Sequence, residues 1–101
     1  MKEQIIQWAK SRDLLTADNA GKQALKLTEE VGELASAILK NNEEKIIDAI
    51  GDIQVVLIIL AAQLNLNYDK CLEIAYEEIK NRKGKTVNGT FIKESEYQSF
   101  E

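Results

Sequence analysis

The third quarter of the chain contains an almost continuous apolar run from Ile53 to Ala62, which only Gln54 interrupts. The chain has no proline, so no such residue breaks a helix in this run. A helix that is apolar on every side must be covered on every side. We therefore expect this helix to lie at the centre of an all-α domain. The run is far shorter than the ~20 apolar residues that a membrane span needs, so we expect no membrane partner.

Turn-forming residues divide the chain into four predicted helices. Asn, Asp and Gly cluster at residues 18–21, 41–42 and 65–67, and Gly84 follows the last helical segment. Short connections of this kind favour antiparallel neighbours. We predict a helical bundle in a single domain, residues 1–101, with helices at about residues 2–12, 19–40, 43–64 and 68–82.

Two predicted elements need more covering surface than one small chain provides. Asn88-Gly89, between β-branched and aromatic residues, predicts a small hairpin over about residues 86–92, and two strands alone are marginally stable. Helix three is apolar on all sides, whereas helix two needs only one covered face. The predicted core stripe of helix two consists of Leu27, Val31, Leu34 and Ile38. We therefore expect the chain to associate with itself, as a homodimer or a dimer of dimers.

The composition excludes several classes of enzyme and partner. The chain has no histidine, which rules out Ser-His-Asp, Cys-His and histidine-zinc sites. Cys71 is the only cysteine, and residues 1–4 lack the apolar stretch of a signal peptide, so we expect a cytoplasmic location. The net charge of −4, from 13 basic and 17 acidic residues, argues against nucleic acid as a partner. Catalysis, if present, must depend on carboxylates.

Helix two carries three of these carboxylates within five residues. They are Glu29, Glu30 and Glu33, and no basic residue follows Glu33 by one turn. Helical spacing places Glu30 beside the core stripe, Glu33 somewhat further round and Glu29 on the outward side. A solvated helix face is the simplest interpretation of such a cluster.

Helix three favours a different interpretation. Asp52 adjoins the apolar run and has no cation one turn away, and Asp48 precedes it by four residues on the same side. An unpaired carboxylate beside a core becomes protonated, finds a cation from elsewhere or binds a metal. Carboxylates of helices two and three that face each other, without His or Cys, form an all-oxygen site that suits Mg²⁺ or Mn²⁺.

The two acidic motifs resemble those of a known enzyme family. EEVGE at residues 29–33 and DAIGD at residues 48–52 look like the EExxE and ExxD motifs of MazG-type nucleoside triphosphate pyrophosphohydrolases. Other segments also resemble the short, single-domain MazG-like proteins of phages and bacteria, namely residues 23–27, 51–57, 75–85 and 88–91. The resemblance implies the all-α NTP pyrophosphatase fold. It also implies metal-dependent cleavage of a nucleoside triphosphate by water, giving a monophosphate and pyrophosphate.

The resemblance also assigns roles to the acidic residues. Carried over by motif position, Glu30, Glu33 and Asp52 are ligands of Mg²⁺, or of Mn²⁺. The family has a glutamate where this chain has Ala49, so Asp48 is the expected substitute for the fourth ligand. Glu29 is the candidate base, and Glu29, Glu30 and Glu33 together form the expected catalytic motif.

Basic and aromatic residues outside the motifs are candidates for substrate binding. Lys80 and Arg82 belong to the densest basic segment, and we expect them to contact the triphosphate, although a basic helix end also complements the helix dipole. Trp8 and Tyr76 are candidates for stacking on the nucleobase. An aromatic residue such as Trp8 more often belongs to the core or an interface, and Tyr76 is similarly ambiguous.

Three alternatives remain at this point. A Nudix hydrolase shares EEVG at residues 29–32, but the rest of its motif and its strands are missing. A phosphoribosyl-ATP pyrophosphohydrolase shares the helical architecture and the type of reaction, whereas the tail of this chain resembles the MazG-like group more. A catalytically silent helical dimerisation module would also explain the apolar third helix and is consistent with Ala49.

Overall fold

The computed structural model describes residues 1–98 and confirms the all-α class with a small C-terminal hairpin. A 3₁₀ turn at Ala17–Asn19 precedes the second helix. The short helix α5 directly after the hairpin was not predicted, and α1 ends two residues earlier than expected. The elements in order are α1 (Lys2–Lys10), α2 (Ala20–Leu39), α3 (Glu43–Gln63), α4 (Tyr68–Ile79), β1 (Gly84–Val87), β2 (Thr90–Lys93) and α5 (Glu94–Gln98).

Asparagines end α2 and begin α3. Asn41 has a positive φ of 52°, a conformation that asparagine adopts more easily than most residues, and it directly follows the last turn of α2. The Oδ1 of Asn42 accepts a hydrogen bond from the backbone N–H of Lys45 at 3.2 Å and caps α3. This tight connection turns α3 back along α2, as the short linker predicts.

The chain divides into two compact units, of which the first is Met1–Tyr68. In this unit α3 packs against both α2 and α1, which confirms its central position. Six apolar residues form the buried core: Ala9, Ala37, Ala49, Val56, Ile58 and Ile59. Because three of these are alanines, the helices can approach each other closely.

The inward face of α2 differs from the predicted stripe. Val31 and Ile38 are 50% and 53% exposed, whereas Glu30 and Ala37 are buried. Apolar residues occur on more than one side of α2, so their spacing alone does not select the packed face. The small side chain of Ala37 lets α2 pack closely with that face towards α3, and Glu30 is buried as a consequence.

Much of the apolar surface of α3 is not covered by the other described residues of the chain, 1–98. Only 28% of its most apolar 18-residue window is buried, and Ile47 and Ile50 are at least half exposed. As a whole, α3 is long and apolar enough to cross a membrane by length and composition, which is also true of core helices in soluble proteins. The predicted need for additional cover therefore remains in the structure.

The second unit begins at Asp69 and contains most of α4, the hairpin and α5. The strands pair antiparallel, from Gly84 opposite Lys93 to Val87 opposite Thr90. Asn88 and Gly89 form the turn, with φ values of 51° and 80°, as the Asn-Gly signal predicts. The hairpin begins two residues earlier than predicted because Gly84 pairs as well. A Cβ atom at Gly84 would lie 2.4 Å from the ring of Phe91, so only glycine fits there.

Candidate active site

Glu30 is the most unusual polar residue of the first unit. Its side chain lies on the inward face of α2, with 8% of the residue exposed. Oε1 is 3.7 Å from the Nζ of Lys26, one turn earlier, while the buried Oε2 has no hydrogen-bond partner. Gln63 also has an unpartnered oxygen, but its amide nitrogen is anchored to the carbonyl of Leu14 at 2.9 Å. Within residues 1–98, Glu30 is thus a buried carboxylate whose ion pair with Lys26 is long and whose other side-chain partner is the acidic Glu33.

Burial raises the pKa of Glu30, because it removes water from the charged form. The negative charges of Glu33 and Asp52 raise this pKa further, and Lys26 opposes them only in part. These effects show that Glu33 on α2 and Asp52 on α3 lie near Glu30. We call these three residues the carboxylate cluster. Within residues 1–98, neither Glu33 nor Asp52 forms an ion pair with a basic side chain.

Asp48 lies beside a second feature, a pocket at the α2–α3 turn. This pocket, the turn pocket, has a volume of about 360 Å³ and is lined by Glu33, Ser36, Ala37, Lys40, Asn42, Lys45, Asp48 and Ala49. Glu33 connects it to the carboxylate cluster. Ala49, which stands where the resembling family has glutamate, is 4% exposed. Its small side chain therefore leaves space in the pocket, while the exposed Asp48 provides a carboxylate there.

The carboxylates fit a hard divalent cation in chemistry and electrostatics. They supply only oxygen donors, Oε2 of Glu30 has no partner, and negative charge accumulates around it. In the described conformation of residues 1–98, however, no group of three or more His, Cys, Asp or Glu side chains is arranged to hold a metal ion. The carboxylate cluster is therefore a set of neighbouring donors whose oxygens do not form a closed coordination shell.

Glu29 is exposed, in agreement with the outward orientation that helical spacing predicts. It does not contribute to the pKa shift of Glu30, although it is the adjacent residue. Consecutive helical residues point about 100° apart, which separates the two carboxylates. The structure thus separates Glu29 from the carboxylate cluster.

Trp8 lies in the first unit beside an apolar pocket. This Trp8 pocket has a volume of about 290 Å³ and is lined by Gln4, Ile5, Trp8 and Val55. The guanidinium of Arg12 stacks on the indole, 4.3 Å from the ring centroid. Val55 follows Asp52 by three residues, so the pocket begins about one helical turn from the carboxylate cluster.

The other predicted substrate-binding residues belong to the second unit. The Nζ of Lys80 is 2.6 Å from Glu77, and the guanidinium of Arg82 is 3.5 Å from Glu78. Tyr76 is 59% exposed. Both predicted phosphate-binding cations are therefore paired with carboxylates on α4.

The family model for phosphoribosyl-ATP pyrophosphohydrolase matches residues 6–81, about three quarters of the chain. The chain belongs to this family. The family is part of the MazG-like all-α NTP pyrophosphatase superfamily, which agrees with the resemblance of the two acidic motifs. The description of the family is that of a pyrophosphohydrolase. The match ends before Gly84, so it does not include the hairpin on which the preference for the MazG-like group partly depends.

A phage protein is also similar to this member of the family. Over 63 residues, the chain is 46% identical to an uncharacterized 18.2 kDa protein in the rep-hol intergenic region of Haemophilus phage HP1 (strain HP1c1). The similarity covers 62% of this chain and 39% of the phage protein, so the chain spans about two fifths of that relative. No solved structure matches the chain.

Sequence reasoning missed two residues of the candidate site in this family member. Lys40 and Lys45 line the turn pocket together with Glu33 and Asp48. They are isolated in the sequence, and only the turn at residues 41–42 brings them to one cavity.

Proposed function

We propose that this chain is a metal-dependent nucleoside triphosphate pyrophosphohydrolase, which cleaves its substrate between the α- and β-phosphates to a monophosphate and pyrophosphate. The single observation that carries the proposal is Glu30, a buried carboxylate with an unpartnered oxygen beside Glu33 and Asp52, in a chain of a pyrophosphohydrolase family. A buried group of this kind is costly to the fold unless a ligand satisfies it. The cluster is therefore better explained by binding than by stability.

Four carboxylates would hold the metal in this proposal. Glu30, Glu33 and Asp52 are the main ligands, and Asp48 takes the place of the glutamate that Ala49 replaces. When bound, Mg²⁺ or Mn²⁺ supplies charge neutralisation at the phosphate oxygens and lowers the pKa of water. The protein itself holds the position of Glu30, because this residue is buried on the inward face of α2. Asn42 caps the start of α3 and so fixes the turn between the two helices that carry the carboxylates.

The nucleophile in this mechanism is water, and its proton must pass to a base. The chain contains no histidine to accept it. Glu29 remains our candidate, since it is exposed and next to a proposed ligand. The water oxygen forms the new bond to phosphorus, and the bond between the α- and β-phosphates breaks to release pyrophosphate.

The Trp8 pocket is the proposed position of the nucleobase. Its lining is almost entirely apolar, which suits the face of an aromatic base, and it adjoins the helix that carries Asp52. A pocket with so few polar groups offers little discrimination between bases. We therefore expect the enzyme to accept several bases and to distinguish substrates mainly by their phosphates.

Two further parts of the proposal involve the remaining surfaces. Tyr76, Lys80 and Arg82 are kept as proposed substrate contacts, with the condition that Lys80 and Arg82 exchange their ion pairs for phosphate. Self-association, as a dimer or a dimer of dimers, would cover exposed residues such as Val31, Ile38 and Ile50.

Phosphoribosyl-ATP is the second candidate substrate, favoured by the family match over residues 6–81. Its cleavage would use the same carboxylates and also release pyrophosphate. The two candidates differ in the nucleoside part, which for phosphoribosyl-ATP carries an additional phosphorylated sugar. A direct comparison of the two substrates with the same enzyme preparation therefore distinguishes them.

The test is a screen of canonical and modified nucleoside triphosphates and phosphoribosyl-ATP with Mg²⁺. Release of pyrophosphate rather than orthophosphate is the expected result, with no activity in excess chelator. Orthophosphate as the product, or full activity in chelator, would contradict the proposal. A silent dimerisation module predicts no hydrolysis and no effect of Mg²⁺ on the melting temperature.

A further inference from the structure

The turn pocket is a polar cavity lined by two of the proposed metal ligands, Glu33 and Asp48, and by two lysines that the proposed mechanism does not use. Lys40 lies after the end of α2 and Lys45 in the first turn of α3, on either side of Asn42. A neighbouring cavity of about 510 Å³ also reaches Lys45 and Asp48. Ligands can therefore reach the lysines from solvent.

The two lysines are available to a ligand. Within residues 1–98, neither Lys40 nor Lys45 forms an ion pair, although Glu33 and Asp48 line the same pocket. Lys26, by contrast, is paired with Glu30 on the same helix, and Lys80 is paired with Glu77 on α4, which ends one residue earlier. An unpaired ammonium group at the wall of a cavity can bind an anion without first losing a protein partner.

The remaining lining also suits phosphate. Ser36 and Asn42 carry hydrogen-bond donors, and the N-terminus of α3 adds its positive dipole end at the pocket. The buried alanines Ala37 and Ala49 leave the space between the helices open. The cavity of about 360 Å³ is many times the minimum that holds one water, which leaves room for a diphosphate.

The charges of the pocket determine which form of the anion it accepts. Two lysines are balanced by Glu33 and Asp48, so a bare polyanion would meet repulsion as well as attraction. A diphosphate complexed with a divalent cation would avoid this conflict, because Glu33 and Asp48 would attract the cation and the two lysines would attract the phosphate oxygens. The turn pocket is thus complementary to magnesium pyrophosphate rather than to a simple anion.

The geometry points to Lys40 and Lys45 as the residues that bind the pyrophosphate half of the substrate, in the turn pocket and next to the carboxylate cluster. This inference rests on the proposed function for the identity of the substrate. It places pyrophosphate binding at the turn between α2 and α3, in addition to the substrate contacts proposed for Lys80 and Arg82.

The test measures binding of inorganic pyrophosphate, with and without Mg²⁺, by titration calorimetry. The variants are Lys40→Gln, Lys45→Gln and the double variant. Lys22→Gln, an exposed lysine of α2 outside the turn pocket, is the matched control for loss of one positive charge. Each single variant should weaken binding of magnesium pyrophosphate about tenfold or more, because a charge-assisted hydrogen bond is lost. Lys45→Arg should restore much of the affinity.

Two results would overturn the assignment. One is unchanged pyrophosphate affinity in the double variant, and the other is an equal loss in Lys22→Gln, which would indicate a general effect of net charge. Failure of the parent protein to bind magnesium pyrophosphate would contradict it as well. Circular dichroism spectra and melting temperatures of the variants establish that each of them is folded.

The same variants separate this inference from the proposed function. If the parent binds pyrophosphate through the two lysines but hydrolyses no nucleotide, the proposed function fails and the pyrophosphate pocket stands. If the parent hydrolyses nucleotides and the double variant keeps the parental KM and kcat, the proposed function stands and the pocket assignment is wrong. The supporting outcome is lysine-dependent binding together with an increased KM in each single variant.

Discussion

The two basic regions of the molecule differ in how their charges are engaged. Lys80 and Arg82 lie in the densest basic segment of the sequence, yet both are paired with glutamates on α4. Lys40 and Lys45 are isolated in the sequence, but the turn between α2 and α3 brings them to one pocket without ionic partners. A high local density of charge thus does not identify the cations that are available to a ligand.

The order of acidic and basic residues along the chain contributes to the difference. Glu77 precedes Lys80 by three residues and Glu78 precedes Arg82 by four, and an acid on the N-terminal side is the favoured orientation for such pairs. The corresponding positions before Lys40 are Ser36 and Ala37. Before Lys45 they are the asparagines of the turn, which are occupied in ending one helix and capping the next.

The largest expected effect is that of Asp52→Asn on the first unit. The substitution removes one charge of the carboxylate cluster at nearly constant shape and should reduce pyrophosphohydrolase activity by at least about 100-fold, the usual cost of losing a charged catalytic contact. The metal-free protein should be as stable as the parent or more so, because one negative charge near Glu30 is lost. An assay of pyrophosphate release measures the loss of activity. Melting temperatures with and without Mg²⁺ measure the change in stability.

Glu77→Gln on α4 is the control for Asp52→Asn, since it removes one carboxylate from the other region. Activity close to that of the parent is expected for it. A metal-free Asp52→Asn protein clearly less stable than the parent would show that Asp52 is a structural anchor. In that case the carboxylates of the first unit would have a structural role, as the paired carboxylates of α4 do, and the proposed difference between the two regions would be wrong.

Ala49→Glu should sharpen the comparison by restoring the motif that the resemblance implies. The new carboxylate would enter the turn pocket and should increase the affinity for Mg²⁺ by about tenfold, a common scale for a change in the groups around a metal. Without metal the variant should be less stable, because Ala49 is buried and an additional charge would lie near Glu33. Mg²⁺ titrations monitored by melting temperature measure both effects.

Ala49→Gln is the matched control for this experiment, because it has the same size without the charge. It should reduce stability in a similar way but should not increase the affinity for Mg²⁺. Equal Mg²⁺ affinity in the two variants would show that the turn pocket does not adjoin the metal site.

Glu30→Gln should change the pH dependence of stability in the metal-free protein. The pKa of Glu30 is raised in the folded state, so its contribution to stability is complete below its ordinary value of about 4.3 and is lost as the pH rises through the raised value. The variant should therefore melt higher than the parent at pH 7.5, by about 4 °C if relief of the buried charge amounts to ~1 kcal/mol. At pH 4 the two proteins should melt at similar temperatures.

The control for Glu30→Gln is Glu29→Gln, which removes an exposed carboxylate next to it. The difference in melting temperature between Glu29→Gln and the parent should be similar at pH 4 and at pH 7.5. A Glu30→Gln protein that is less stable than the parent at pH 7.5 would mean that the contact with Lys26 outweighs the burial of the charge.

Local signals made much of the fold predictable, because they act within a few residues. Asn41 and the Asn88-Gly89 pair adopt the left-handed conformations that their types favour, and they set the ends of α2 and the hairpin turn. The face of α2 was not predictable in the same way. Val31 and Ile38 have the spacing of a core stripe, but contact with α3 selects the face of Glu30 and Ala37.

The residues of the candidate site also differ in whether local sequence signals could predict them. Glu30, Glu33 and Asp52 could be selected from the two motifs, since each motif lies within one helix. The involvement of Lys40 and Lys45 depends on the path of the chain at the turn, which places residues of two helices around one cavity. Such a set has no signature within a single helical turn, so only the tertiary structure reveals it.

The smallest expected effect tests the origin of the difference between the two basic regions. The double variant Glu77→Gln/Glu78→Gln releases Lys80 and Arg82 from their partners. Exposed ion pairs of this kind contribute only about 0.3–0.5 kcal/mol each, so the loss of stability should be close to the detection limit. If the pairing is what keeps these cations from binding anions, the variant should acquire weak, salt-sensitive binding of pyrophosphate in addition to that of the turn pocket. Calorimetry in the Lys40→Gln/Lys45→Gln background isolates this new binding. An absence of any new binding would show that ionic pairing is not what prevents Lys80 and Arg82 from binding free pyrophosphate.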